Sequence, residues 1–366
     1  MINYEFVSEV INGKRNVNAL DDNDKTAAIY LAESENYEEL VKLIERGANY
    51  NFVNSKNESV LSVILNKMRK YCLLDVHNKY SDCLEMFERM GDKWDMDVPL
   101  DEDNNTAIMV LLLSPRLESV VSKYLSLYNN INLSKKNKYG DSFSSLLIKL
   151  NLSSLYDIVK YKASFEHNYV DRNNGNTLFL LSVISQPTIV EKILKRDKTK
   201  INDINFKKEN ALIIATKAGC IDTIKILLKN NIYINQQDKL GNTALHYAIQ
   251  SYNPYTTALL VSSGANLSIK NLEGETPMNF VNKIKNEIIL KDIVNAIQKP
   301  FSFINEKDIG LFYESNNDSF NYLIPELTIN YRNYEIHSIL ENRKIIYRTY
   351  RKSFSAATIF DIVFKS

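Results

Sequence analysis

Few residues in this chain are of a type that does chemistry, and none stands in a pattern that a reaction needs. Four histidines are spread over 366 residues. His246 invites a catalytic reading, while His167 and His337 stand isolated. Cys72, His77 and Cys83 lie near one another in sequence, but their spacing matches no zinc pattern and a fourth ligand is missing. The other reading of those three residues is an elongated helix pair with buried cysteines. Cys220 has no histidine in a readable relation to it, so a thiolate–imidazole nucleophile is not indicated. The chain has no Gly-rich phosphate loop, no Gly-x-Ser-x-Gly elbow and no His-Glu-x-x-His. With 10 glycines in all, few loops could cradle a phosphate. These residues predict a protein that is not an enzyme and needs neither metal nor cofactor.

Charge adds one candidate. Arg343, Lys344, Arg348, Arg351 and Lys352 form the densest basic cluster, suited to an anionic lipid headgroup or an acidic peptide, or to protecting an exposed strand edge. The net charge is only +1, so no global field argues for nucleic acid. An odd, sparse set of three cysteines forms no disulfide framework and fits a reducing compartment. No apolar run approaches the roughly 20 residues that span a bilayer. Met1-Ile2-Asn3-Tyr4-Glu5 lacks the basic and apolar regions of a secretory signal. The expected location is cytoplasmic. Abundant Tyr, Asn, Lys and Ile reflect an AT-rich genome as readily as a function.

The elements that hold these residues repeat. The phrase Asp238-Lys239-Leu240-Gly241-Asn242-Thr243-Ala244-Leu245-His246 returns in altered form as Asn271-Leu272-Glu273-Gly274-Glu275-Thr276-Pro277-Met278-Asn279, so that Gly241 maps on Gly274 and Thr243 on Thr276 at a spacing of 33. Upstream, Asn210 and Thr177 continue the same spacing from Thr243, while Ser142, Thr106, Ser59 and Thr26 take the position at less regular intervals. Gly47-Ala48-Asn49 and Gly264-Ala265-Asn266 are matching ends. A glycine such as Gly241 supplies the positive φ of a tight turn. Thr243 can cap the helix that follows. Small Ala215 and Ala248 let paired helices pack closely, and Ile221, Ile224, Leu227 and Leu228 mark the apolar face of a second helix. Eight starts follow, at about Asp24, Asn57, Asn104, Gly140, Gly175, Lys208, Gly241 and Gly274.

A 33-residue period with this phrase resembles the ankyrin family: a β-turn and two short antiparallel helices per unit, stacked side by side. The resemblance implies a mostly α solenoid over about residues 1–300, of about seven to eight units with β-hairpin tips, several of them degenerate, stabilised by neighbour stacking. It implies that His246 is structural, bonding within and between turns. It also implies a binding module whose partner, another protein, is held by tips and short-helix ends on a concave face. On that register the contact residues are Asp22, Asn23, Glu102, Asp103, Asn173, Asn174, Phe206, Lys207, Lys239 and Leu240 at the tips, with Lys217, Gln250 and Ser251 at short-helix ends. Phe206 and Leu240 either face a partner or tuck between neighbouring hairpins. Asp21, Asp22 and Asp24 against Lys207, Lys208 and Lys239 suggest tips that run from acidic to basic.

Two departures stand out. The Asn57 unit is long, with its excess expected at 67–80, between its helices. Trp94, the sole tryptophan, either packs under the next hairpin or anchors a partner. Beyond a helix ending near Lys299, where Pro300 stops it, the period is lost. Runs at 326–331, 334–339 and 344–350 read as an antiparallel β-meander closed by a helix near 356–364, giving a small β-rich C-terminal segment over 301–366. Arg348-Thr349-Tyr350-Arg351-Lys352-Ser353-Phe354 resembles the strand-to-helix motif that opens a PX (phox-homology) domain, with Thr349 at the second arginine position and one residue inserted before Phe354. That resemblance implies a truncated PX-like module, phosphoinositide binding and a peripheral place at endosomal membranes. The function expected first is a non-catalytic adaptor or scaffold. A membrane-trafficking factor and a viral or bacterial host-directed effector are the alternatives.

Overall fold

The computed structural model describes residues 2–114, 116–184 and 187–304. These form two compact units, Met1–Leu147 with Asp157–Glu166, and Ile148–Tyr156 with the chain from His167 onward. The first unit holds α1 (Tyr4–Ile11), the pairs α2 (Ala27–Glu33)/α3 (Tyr37–Glu45), α4 (Val60–Leu73)/α5 (His77–Met90) and α6 (Ala107–Leu112)/α7 (Glu118–Leu127), and most of the pair α8 (Phe143–Lys149)/α9 (Ser153–Val159), through which the division passes. The second holds α10 (Leu178–Ser182)/α11 (Pro187–Arg196), α12 (Ala211–Ala218)/α13 (Ile221–Lys229), α14 (Ala244–Gln250)/α15 (Pro254–Ser262), α16 (Pro277–Asn282)/α17 (Glu287–Gln298) and the short α18 (Pro300–Phe303).

Each pair begins at a turn built by one side chain. Asp21, Asn54, Asp101, Asn137, Asn205, Asp238 and Asn271 each accept two backbone N–H bonds with Oδ1, from the residues two and four positions on, at 2.8–3.1 Å. Such an Asx turn replaces backbone pairing with side-chain pairing. The next corner needs a left-handed φ. Glycine supplies it at Gly140, Gly175, Gly241 and Gly274, and Asp24, Asn57, Asn104 and Lys208 supply it elsewhere. Two residues later a Ser, Thr or Asn takes the N-cap position of the first helix, as Asn210 does by accepting from the N–H of Ile213 at 3.0 Å, although the Thr106 hydroxyl makes no such bond.

The tips are turns rather than β-hairpins. Among the described residues there is no strand, only isolated bridges such as Val170 with Thr177 and Ile204 with Asn210. The reason is visible in the bonds above: the Asx carboxyl and amide oxygens take the N–H groups that a ladder would need.

The first helix of most pairs is buried nearly all round, as α12 is over Ala211–Thr216, while α4 buries one stripe and α16 only Pro277 and Val281. The second helix is amphipathic in α3, α11, α13 and α17, and α13 buries only Thr223, Ile224 and Leu227, whereas α15 is buried from Pro254 to Leu260. Ile221 and Leu228 are half-buried.

The long unit corrects one expectation. Its excess lies inside the helices: α4 and α5 have 14 residues each, and the connection is confined to 74–76. Met68 and Tyr71 extend the apolar stripe of α4, while Cys83, Met86, Phe87 and Met90 line α5, so burial lengthens both helices. Pro300 does end α17, but it also opens α18 at its first turn, where a missing N–H costs nothing. The expected β-meander, the PX-like motif and the basic cluster of Arg343, Lys344, Arg348, Arg351 and Lys352 lie outside the described residues.

Candidate protein-interaction surface

The residues with chemical potential are spent on structure. His246 Nδ1 accepts the backbone N–H of Thr243 at 3.0 Å, which makes Nε2 the donor to the Glu275 carbonyl at 3.2 Å. The ring is fully buried and stands edge-on to Phe280. Burial lowers its pKa, against an opposing pull from the Glu275 carbonyl and the Asp238 and Glu275 charges. Cys220 bonds the Ile184 carbonyl, and burial pushes its thiol up to about 12, far from a reactive thiolate. Cys83 is buried with its sulfur 3.1 Å from the Tyr37 hydroxyl, and burial raises its pKa too. Among the described residues no group of three His, Cys, Asp or Glu side chains is placed to hold a metal ion.

What faces outward is the row of tips in the second unit. They are joined by backbone bonds from tip to tip: Phe206 N–H to Asn174 O at 2.8 Å, Lys239 N–H to Lys207 O at 2.8 Å, and Leu272 N–H to Leu240 O at 2.9 Å. Beneath them a second, buried row of amides repeats the link, Asn205 Nδ2 to Asn176 Oδ1 at 3.0 Å and Asn271 Nδ2 to Asn242 Oδ1 at 3.0 Å. The first and third of these joints are therefore fixed by hydrogen bonds at two depths. On this frame Phe206, Leu240 and Leu272 are 55%, 62% and 79% exposed. The Phe206 ring leans on Gly175, where a Cβ would strike it, so this side chain both packs on the preceding tip and keeps an open face.

The other contact residues named from register fall into three groups. Asp22, Asn23, Glu102, Asn173, Lys207, Lys239, Gln250 and Ser251 are exposed, and Asn174 is half-buried. Asp103 and Lys217 are corrections. Asp103 is 2% exposed and pairs with Lys138, and its carbonyl accepts from the Lys138 N–H at 2.8 Å. Lys217 lies over the Tyr247 ring at 3.9 Å, pairs with Glu209 and sits 3.7 Å from Asp238. Both charges serve the frame, since a buried charge is kept only when paired. Trp94 is packed rather than exposed, as the first of its two readings expected, and it is no partner anchor. It is 4% exposed, donates Nε1–H to Phe87 O at 2.9 Å and meets Tyr50 edge-on at 5.9 Å.

At the acidic end of the charge run, two of the carboxylates are also engaged in local hydrogen bonds. Asp21 takes the Tyr30 hydroxyl at 2.7 Å; burial opposes but hydrogen bonds prevail, holding its carboxyl at about 2. Asp24 accepts from the Ser55 N–H at 2.8 Å. Two surface residues were missed. Leu272 and Arg172 hold the same tip position as Phe206 and Lys239, directly after the Asx residue, and that register is the signal that names them.

Comparison with known proteins agrees with this geometry. A family model described as ankyrin repeats, in three copies, matches residues 146–238 and 179–271. A putative ankyrin repeat protein of Fowlpox virus (strain NVSL) is 32% identical over 150 residues, 39% of this chain and 41% of its own length. One from Acanthamoeba polyphaga mimivirus is 24% identical over 163 residues, 39% of this chain and 22% of its own length. The nuclear factor NF-kappa-B p105 subunit of Gallus gallus is 24% identical over 190 residues, 50% of this chain and 19% of its own length. The matched part thus spans less than half of each of these relatives. No helix of the described residues is long and apolar enough to cross a membrane. The phrase at Gly241 and Gly274, the capped helix pairs and the family match converge on one conclusion: residues 146–271 of this chain are ankyrin repeats.

Proposed function

We propose that the chain is an adaptor that holds a partner protein on the tips of its second unit. One observation carries the reading: Phe206 and Leu240 stay more than half exposed on tips whose backbones are tied to their neighbours. Apolar side chains held still in water are what a partner surface can bury at little cost in entropy. Exposed Lys207, Lys239, Gln250 and Ser251 supply a polar rim of the kind interfaces have. Asn173 lies on the same row, and a specific contact of about 800 Å² per partner is within reach of several adjacent tips.

The test is affinity capture from the native lysate with wild type and a Phe206→Glu, Leu240→Glu variant whose circular dichroism matches it. A dominant protein captured by wild type and lost by the variant supports the reading. A protein retained by the folded variant moves the site to Asp22, Asn23 and Glu102 or to residues 305–366, and no captured protein removes the reading. A host-directed effector is the second reading, favoured by the similarity to ankyrin repeat proteins of two viruses. The identity of the neighbouring genes decides it. Endosomal lipid binding by Arg343 to Lys352 has no observation among the described residues in its favour.

A further inference from the structure

The charges on the tips of the second unit are sorted by sign, and the sorting names the chemistry of a partner. Four carboxylates lie on or beside the tips from Asp171 to Asn242; Asp171, Glu209 and Asp238 are buried, Asp203 is half-buried, and each is engaged by a partner within the chain. Asp171 and Lys149 are 3.3 Å apart, with side chains 4% and 5% exposed. Asp203 accepts from the Thr177 hydroxyl at 2.6 Å. Glu209 accepts from Asn205 Nδ2 at 2.7 Å and pairs with Lys217. Asp238 accepts the Tyr247 hydroxyl and the N–H groups of Leu240 and Asn242. The four cations of the same tips, Arg172, Lys207, Lys208 and Lys239, are all exposed, and none has a carboxylate within 4 Å among the described residues. The outward field is therefore positive although the chain carries a net charge of only +1.

Apolar groups are interleaved with those cations. Phe206 precedes Lys207 and Lys208, Leu240 follows Lys239, and Val170 and Ile204 are 44% and 49% exposed at the tip bases. Resting on the interaction-module reading, the geometry points to a partner of one kind: an extended segment rich in Asp and Glu with apolar side chains between them. Adjacent helix pairs pack about 10 Å apart. An extended chain advances about 3.3 Å per residue. A segment of about seven residues then crosses the three tips headed by Asp171, Asn205 and Asp238, with its apolar side chains meeting Phe206 and Leu240. Acidic residues between them meet the cations in water-exposed pairs, which steer and select more than they bind. The window closes at the next tip, where Glu273 is exposed and reverses the sign.

The experiment is a selection of displayed random peptides of about 12 residues against the full chain, followed by affinity measurement of the enriched sequences. The inference expects enrichment of Asp and Glu with aromatic or aliphatic residues. It expects binding that weakens as salt rises from about 0.05 to about 0.5 M, as exposed charges are screened. A Lys207→Glu, Lys239→Glu variant should lose roughly tenfold in affinity, as expected when like charges replace complementary ones. A Lys195→Glu, Lys229→Glu variant has the same change in net charge on α11 and α13, and should lose nothing. Neutral or basic peptides, or acidic ones that bind the Lys207→Glu, Lys239→Glu variant undiminished, overturn the inference and leave the adaptor reading intact. A selection without enrichment also overturns it, and the lysate capture then decides the adaptor reading separately.

Discussion

His246 shows how a residue with catalytic chemistry becomes a structural part. Its Nδ1 takes the Thr243 N–H, so a proton there would replace an acceptor with a donor facing a donor. Burial holds the folded pKa below the ordinary value of 6.5. As pH falls through that value the unfolded imidazole binds its proton first, so stability is full above it and drains below. Asn279 does the same work without titrating in the next repeat, accepting the Thr276 N–H at 2.7 Å. A His246→Asn variant should therefore lose part of the decline in urea midpoint between pH 7 and 5.5 that wild type shows. An unchanged decline would mean that His246 does not titrate with unfolding. Two glycines at the same register position give a second comparison. Gly241 and Gly274 have φ of 78° and 77°, but a Cβ at Gly241 meets Leu272 N at 2.7 Å and Asn271 Cα at 2.9 Å, while one at Gly274 meets nothing within 4 Å. Gly274→Ala should cost about 1 kcal/mol from the left-handed backbone alone. Gly241→Ala should cost more, because backbone atoms of the next tip must move. Equal costs by urea denaturation would refute the close approach of the two tips.

At the scale of elements, the short stretch from Gly91 to Trp94 fixes how α5 gives way to the next turn. A 3-10 turn at Gly91–Lys93 follows α5, and Trp94 then folds back so that its indole N–H reaches Phe87 in that helix. Trp94→Ala should cost about 3–5 kcal/mol, the range for removing a large buried aromatic. A loss near zero would restore the reading of Trp94 as an exposed anchor. The caps offer a milder change. Asn210 holds the start of α12 through Ile213 N–H and also donates to Tyr233 O at 3.0 Å. Asn210→Ala should cost about 1–2 kcal/mol by the usual worth of such caps. Circular dichroism against urea measures both.

At the scale of the whole chain, stability is a sum over repeats and their neighbours rather than one core. Within the second unit the sum is smallest at its far end. There α16 buries only Pro277 and Val281, and α17 only Ile293 and Ala296, while Ile288 and Phe301 are 73% and 75% exposed. Hydrogen exchange should therefore be fastest in α16 and α17 and slowest in α12 and α14, whose buried runs are nearly continuous. Uniform protection across these four helices would argue for a single cooperative unit.

The sequence alone determined the repeat. The 33-residue return of Gly241 and Thr243, the small residues at Ala215 and Ala248 and the missing enzyme signatures need no structure, because turn corners and caps are local and announce themselves by residue type. The recurring Asp or Asn that begins each tip is present in the sequence, but its turn-building role, which makes the tips turns rather than the expected β-hairpins, came only from the structure. Only tertiary structure decided what each charge and large apolar side chain does. Asp103 and Lys217 look like surface residues and are consumed by Lys138 and by Glu209, while Trp94, which by sequence could pack or anchor, fills a core. Lys207 and Lys239 look no different in sequence, yet they remain open because the carboxylates beside them turn inward. Burial and pairing depend on the repeat before and the repeat after, and a single repeat's residues do not carry that information.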